Sequence, residues 1–314
     1  MDGQPKVMTV RGPIPASQCG FTLTHEHPFC ILRQARHRYD FPDQIDDEDL
    51  VATEVGAFRD QGGQTLVDLT VPDIGRSPER LRTLSERTGV QIVMGCGWYR
   101  ESYYRPEARL DRRPVADLAE ELLREIQDGV GTDHIRPGVI GEIGSEKTWV
   151  SPVEERVLRA AARAQRASGL ALGALHAIGP VAPEQLTILE DEGADLTRVA
   201  VGHCETMPNL GYLTGLLARG VYLVFDNCGQ YRNLGKFEDD IVELIRRLLD
   251  AGHEGRILLS HDTCKFPQFR RHGGPGFTYL AETFLPKLGA AGVPASAIAR
   301  ITRENPARWL AGGT

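Results

Sequence analysis

The sequence predicts an α/β protein folded as a (β/α)8 TIM barrel with a short N-terminal extension. Three observations lead there: eight short β-branched runs, amphipathic stretches between them, and polar metal-type residues where the runs end. Strands alternating with helices favour a parallel sheet, because parallel neighbours need a crossover connection. Eight such units in about 290 residues suit a closed barrel. A doubly wound open sheet would prefer a glycine-rich phosphate turn after its first strand, and here that turn is His25-Glu26-His27.

In chain order the expected strands are residues 21–24, 65–69, 91–96, 138–143, 171–176, 198–203, 221–225 and 256–261. Apolar residues at three- and four-residue spacing predict helices over 48–61, 77–88, 115–127, 152–168, 183–192, 209–218, 238–251 and 279–291. A last segment, 294–310, closes the chain. Ser151-Pro152-Val153-Glu154 gives the fourth helix an N-cap hydroxyl, a proline at N1 and a glutamate three residues on. Ser77-Pro78 is expected to open the second helix in the same way. No low-complexity stretch, solenoid-length repeat or linker interrupts the pattern, so residues 1–314 read as one domain. Residues 1–19 read as an extended cover over the barrel floor or rim.

Composition narrows the function classes. Hydrophobic residues at 41% and charged residues at 25% describe a soluble globular protein, not a disordered or fibrous one. A net charge of -7 argues against general affinity for nucleic acid or an anionic membrane surface. No uninterrupted apolar run approaches the roughly 18 residues that span a bilayer. Residues 1–5 show neither a basic n-region nor an apolar h-region. The six cysteines are scattered without a C-x-x-C pair and read as reduced thiols of a cytoplasmic protein.

The nine histidines are the informative residues. His25, His27, His176 and His203 fall at or just past the C-terminal ends of expected strands. The fourth strand ends in Glu142, and the eighth in His261-Asp262. In a barrel these ends converge on one face, where active sites are built. Alternate strand residues share a side, so His25 and His27 can grip one ion together. Imidazole and carboxylate ligands suit zinc, and also iron(II), manganese or cobalt. Six ligand groups are too many for one tetrahedral ion and about right for two, bridged by Glu142 and a hydroxide. Alone, each residue has a plain structural reading: a packed histidine, a salt-bridged interior glutamate, an aspartate capping a turn. Their joint register with the strands is what argues for metal.

With these residues in place, the chain resembles the phosphotriesterase-related branch of the amidohydrolase superfamily. The resemblance runs from Val10-Arg11-Gly12-Pro13-Ile14 and Gly20-Phe21-Thr22-Leu23-Thr24-His25-Glu26-His27 onward. It continues through Arg136-Pro137-Gly138-Val139-Ile140-Gly141-Glu142-Ile143-Gly144 and Gly202-His203-Cys204-Glu205. Leu259-Ser260-His261-Asp262 and Asn305-Pro306-Ala307-Arg308 complete it, so it covers nearly the whole chain. It implies a buried ion on His25, His27 and Asp262 and a more exposed one on His176 and His203. Well-known members bridge the ions with a carbamylated lysine at the end of the fourth strand. This chain has Gly141-Glu142 there and no lysine until Lys147, so it resembles the branch bridged directly by glutamate. Tyr99 resembles the family tyrosine that leans over the metals towards the substrate carbonyl. A homodimer is compatible with the resemblance.

The chemistry follows from such a centre. A hydroxide between two dications is nucleophilic at neutral pH, and the more exposed ion can polarise a carbonyl or phosphoryl oxygen. Asp262 can accept the proton and pass it to the leaving group. His261, its strand neighbour, points to the opposite side and is expected to orient or simply pack. Substrate choice belongs to the strand-to-helix loops. The loop after the third strand carries Trp98, Tyr99, Arg100, Tyr103, Tyr104 and Arg105. Asn227, Gln230, Tyr231, Arg232 and Lys236 follow the seventh, and Lys265, Phe266, Phe269, Arg270, Arg271 and His272 follow the eighth. Aromatic walls interleaved with arginines suit a small ester or lactone carrying an anionic or polar group.

The expected function is therefore binuclear-metal hydrolysis of a small carboxyl ester or lactone. Amide hydrolysis of N-acylated small molecules, or phosphotriester hydrolysis, would use the same machinery. A TatD-like metal-dependent deoxyribonuclease also shows H-x-H and a Gly-Glu-Ile-Gly stretch. Against it stand the acidic charge and Pro28-Phe29 in place of H-x-H-x-D.

Overall fold

The computed structural model describes residues 4–32 and 44–311, and in it eight parallel strands stand side by side in chain order. We number them β1 (Phe21–Glu26), β2 (Gly63–Asp68), β3 (Gln91–Cys96), β4 (Val139–Ile140), β5 (Ala171–Leu175), β6 (Val199–Val201), β7 (Tyr222–Phe225) and β8 (Ile257–Leu259). Each expected strand is there, and several are shorter. The fourth keeps its ladder only over Val139–Ile140, and Gly141 then turns away with φ +140°. A Cβ at Gly141 would lie 2.6 Å from the carbonyl oxygen of Gly173, so only glycine lets β4 and β5 approach this closely.

The ends of the sheet meet where β1 and β8 lie together. Thr24 Oγ1 donates to the carbonyl of Leu259 at 3.0 Å, and the His25 amide donates to Ser260 Oγ at 2.9 Å. Beyond the strands, the Asp262 amide reaches the His25 carbonyl at 3.1 Å, and the His27 amide reaches Thr263 at 3.2 Å. Glu26 fastens this seam. Its Oε1 accepts from Ser260 Oγ and from the amide and Nδ1 of His261 at 2.8–2.9 Å, and its Oε2 accepts from the Thr263 amide at 2.9 Å. Such a fully satisfied buried carboxylate ties the first strand to the last.

Helices α1 (Glu48–Asp60), α2 (Pro78–Thr88), α3 (Val115–Asp128), α4 (Pro152–Ser168), α5 (Ala182–Asp191), α6 (Leu210–Leu217) and α7 (Phe237–Leu248) intervene between strands. The predicted capping box of α4 forms: the Glu154 amide donates to Ser151 Oγ at 3.3 Å, and Ser151 N donates back to Glu154 Oε2 at 3.0 Å. Ser77 differs. It precedes Pro78 at the start of α2, but its hydroxyl makes no cap bond.

The expected helix over 279–291 and the closing segment 294–310 are also broken up. Residues Leu280–Phe284 and Arg300–Glu304 are wound as π-turns before the short α-helical pieces Leu285–Ala290 and Asn305–Leu310. Pro286 and Pro306 explain this, since each lacks the N–H that an α-turn would bond four residues back.

Residues 1–3 of the expected N-terminal cover lie outside the described residues, as do 312–314. The rest of the cover forms an antiparallel hairpin, Lys6–Thr9 with Gly12–Pro15, whose Val10 amide donates to the Ile92 carbonyl at the start of β3. Val7 joins Val67, Val93, Val139, Ala171, Ala200, Leu258 and Trp309 in the buried apolar packing inside the barrel. The extension thus covers the floor, opposite the strand ends that carry the histidines.

Candidate metal centre

His25 and His27 reach the barrel mouth through an irregularity in β1. Leu23 packs in the cluster shared with the helices, and the pairing with β2 shifts register between Leu23 and Glu26. A bulge of this kind re-aims the side chains that follow it. The two imidazoles then face each other with Nε2 atoms 3.1 Å apart.

Around them the six predicted ligands converge. Glu142 Oε2 lies 3.5 Å from His25 Nε2 and 3.7 Å from His27 Nε2, while Asp262 Oδ1 lies 3.7 and 3.4 Å from the same atoms. The other Glu142 oxygen, Oε1, lies 3.3 Å from His203 Nε2. His176 joins that side: ligand atoms of Glu142, His176 and His203 all lie within 4.8 Å of one another. Its ring meets the His203 ring edge-on with centroids 4.7 Å apart. Glu142 therefore presents one oxygen to each half of the cluster.

The fit to metal can be tested on two grounds. Ligand bonds of about 2.0–2.2 Å in a tetrahedral zinc site separate neighbouring ligand atoms by roughly 3.3–3.6 Å. The 3.1–3.7 Å separations here match. The second ground is the direction of the lone pairs. His25 Nδ1 donates to Asp226 Oδ2 at 2.7 Å, and His203 Nδ1 donates to Asp226 Oδ1 at 2.9 Å. His27 Nδ1 donates at 2.9 Å to Thr70 Oγ1, whose own hydrogen goes to Asp68 Oδ1 at 2.6 Å. His176 Nδ1 donates to the Ser145 carbonyl at 3.2 Å. With every Nδ1 proton committed, all four Nε2 atoms present lone pairs to the same small volume, an arrangement a cation stabilises.

Asp226 is close enough to His25 and His203 to be grouped with the ligands. It meets them at their Nδ1 atoms at hydrogen-bond distance, so it orients these imidazoles and stands outside the candidate ligand set. Asp226→Ala is expected to lower the affinity for each ion by about 10- to 100-fold. Titration against a competing chelator measures this; unchanged affinity would remove Asp226 from the centre.

The electrostatics agree. Burial pulls His25 down, but Glu142, Asp262 and Asp226 outweigh it and hold its pKa well above the ordinary imidazole value. His203 is raised in the same way, against burial, by Asp226 and Glu142. Burial and the neighbouring His203 push His176 well below the ordinary value. Glu142 and Asp226 stay ionised despite burial because these imidazoles face them. Protons and cations compete for the Nε2 positions, so binding a cation must release protons from the raised histidines. Metal affinity is accordingly expected to fall by at least about tenfold per unit as pH drops through the neutral range. Chelator competition at several pH values checks the sign; affinity that rises on acidification would contradict it.

Tyr99 sits at the rim of the cluster. It is buried, its ring stands edge-on to His176 with centroids 5.4 Å apart, and burial with the charge of Glu142 keeps the phenol protonated. His261 lies off the centre. Its Nδ1 donates to Glu26 and its Nε2 accepts from the Leu280 amide at 2.9 Å, which fixes it as a packed, orienting residue.

Sequence reasoning missed Asp226, Thr70 and Asp68. Asp68 ends β2, Thr70 lies two residues on and Asp226 follows β7, so the same rule that found the candidate ligands would have reached them. Glu205 was seen only as part of a motif. It is buried beside Asp226, whose charge and burial push it up to about 8, and it accepts a hydrogen bond from Asn227. Two left-handed residues hold the rim, His203 at φ 55° and Asp262 at φ 50°, a conformation that concentrates at functional sites.

Comparison with known proteins fits this geometry. The profile of the Phosphotriesterase family matches residues 5–310. A resiniferatoxin-binding protein from Rhodobacter sphaeroides superposes with a TM-score of 0.90 at 33% identity, covering 98% of this chain and 95% of that one. A lactonase from Listeria monocytogenes gives a TM-score of 0.88 at 26% identity, over 97% and 98% of the two chains. The N-acetyltaurine hydrolase of Rattus norvegicus is 30% identical, covering 97% of each chain. Among the described residues, no helix is long and apolar enough to cross a membrane. The chain belongs to the phosphotriesterase family and is a hydrolase of that kind.

Proposed function

We propose that the chain opens a small carboxyl ester or lactone with the help of two divalent ions, zinc by the donor set. His25, His27 and Asp262 would hold one ion, His176 and His203 the other, with Glu142 between them. The observation that carries this reading is the convergence of four Nε2 lone pairs on the two oxygens of one glutamate. When bound, the ions supply a water nucleophile at neutral pH and a Lewis acid for the acyl oxygen.

The chain's own residues do the rest. Asp226, Thr70 and the Ser145 carbonyl fix the imidazole rings. Asp262 is the most exposed of the six ligands, 17% against 5% or less for the other ligands. From there its carboxylate takes the proton of the attacking water and hands it to the leaving oxygen. Tyr99 donates its phenol hydrogen to the acyl oxygen and closes the rim against water. The lactonase from Listeria monocytogenes supports the ester and lactone reading.

The match to N-acetyltaurine hydrolases favours a second reading, cleavage of an N-acyl amide by the same residues. A hydrolysis panel of lactones, aryl esters, N-acyl amines and a phosphotriester, run with the zinc, manganese and cobalt forms, separates them. Chelator-sensitive turnover led by a lactone or ester is expected. An amide in the lead would favour the second reading, and an inert metal-loaded protein would contradict both.

A further inference from the structure

Arg100 stands out among the loop cations around the mouth. Three neighbouring arginines are engaged elsewhere. Arg232 donates to the carbonyls of Gly229 and Gly273 at 2.8 and 2.7 Å. Arg105 donates to the Pro72 carbonyl at 2.5 Å, and Arg270 pairs with Glu282. Arg100 is only 14% exposed, and its Nε has no hydrogen-bond partner among the described residues. Its neighbouring carboxylate, Glu146, is 3.6 Å away, beyond hydrogen-bond reach, and the same Glu146 oxygen already accepts from Ser102 Oγ at 2.6 Å.

The guanidinium is held by aromatic faces. Its Cζ lies 4.6 Å from the centroid of the Tyr99 ring and 5.1 Å from that of Tyr103. The Tyr99 ring also contacts His176, so one aromatic ring spans the guanidinium and a ligand of the centre. A planar cation, always charged, stacked on two tyrosines, with an Nε that lacks a hydrogen-bond partner among the described residues and only a 3.6 Å ion pair to Glu146, can take a planar anion in bidentate fashion. Its charge is felt at the centre too, where with burial and His203 it helps hold His176 down.

We propose that Arg100 anchors a carboxylate or sulfonate carried by the substrate, so that the compounds hydrolysed are anionic acyl compounds. This rests on the hydrolase reading above, since the anchor matters only for a molecule whose acyl group reaches the ions. Neutral esters and lactones lack the group Arg100 would pair with. Leaving the guanidinium unpaired in the complex costs binding, and that difference selects the anionic class.

The test uses equilibrium binding to the zinc-loaded protein, followed by calorimetry. Succinate, glutarate and adipate are compared with butyrate, valerate and hexanoate, which lack the second carboxylate. At least one diacid is expected to bind about tenfold or more tightly than its monoacid. Arg100→Met should erase that preference with zinc content unchanged, and Arg100→Lys should restore part of it. Equal affinities across all three pairs, or a preference that survives Arg100→Met, would overturn the anchor and leave the hydrolase reading intact. Binding of none of the six acids to zinc-loaded protein would likewise overturn the anchor, while the hydrolysis panel tests the hydrolase reading separately.

Discussion

Glu142→Ala is expected to strip both ions from the protein and to lower turnover by at least about a thousandfold. The reason lies in how the carboxylate is shared. Oε2 faces His25 and His27, and Oε1 faces His203, so one truncation removes a ligand from each half. It also removes a buried negative charge that would offset the charge of the ions. Metal analysis after dialysis reads the first effect, and turnover on the best compound of the hydrolysis panel reads the second. Two ions retained in Glu142→Ala would contradict the bridge. Added bicarbonate should change nothing in the parent protein, because a glutamate needs no carbon dioxide to become a ligand. A bicarbonate requirement for loading would point to a carbamylated lysine instead.

Asp262→Asn should separate metal binding from turnover. The amide keeps one oxygen near His25 and His27 and preserves the shape of the rim, so at least one ion should remain. What it loses is the ability to accept a proton, and turnover should fall by about 100- to 10,000-fold, the usual contribution of a positioned general base. A loss of this size with metal retained separates a proton carrier from a mere ligand. If Asp262→Asn hydrolyses at the parent rate, Asp262 does not move the proton.

Much of this centre was legible in the sequence because a barrel turns strand order into spatial order. His25, His27, Glu142, His176, His203 and Asp262 each lie at or just past the end of a predicted strand, and parallel neighbours bring such ends to one face. The orienting residues were harder to read. Asp226 stands just after β7, where the strand-end rule points, but its role shows only in Nδ1 contacts to two histidines at the ends of β1 and β6. The register shift in β1 that turns His25 inward was invisible for a similar reason: it depends on how β1 pairs with β2. The helix ends at Pro286 and Pro306 were within reach, since the missing N–H of proline predicts a break in the ladder. Arg100 was legible only as one of several loop arginines. Its stacking on Tyr99 and Tyr103 is set by the loop's path, which no local spacing reveals.

The proposed centre has six side chains holding two ions at one barrel mouth. Anomalous scattering from crystals grown with saturating zinc tests it most directly. Two peaks are expected, one among His25, His27 and Asp262, the other beside His176 and His203, with Glu142 reaching both. A single peak, no peak, or zinc bound away from these nitrogens would contradict it.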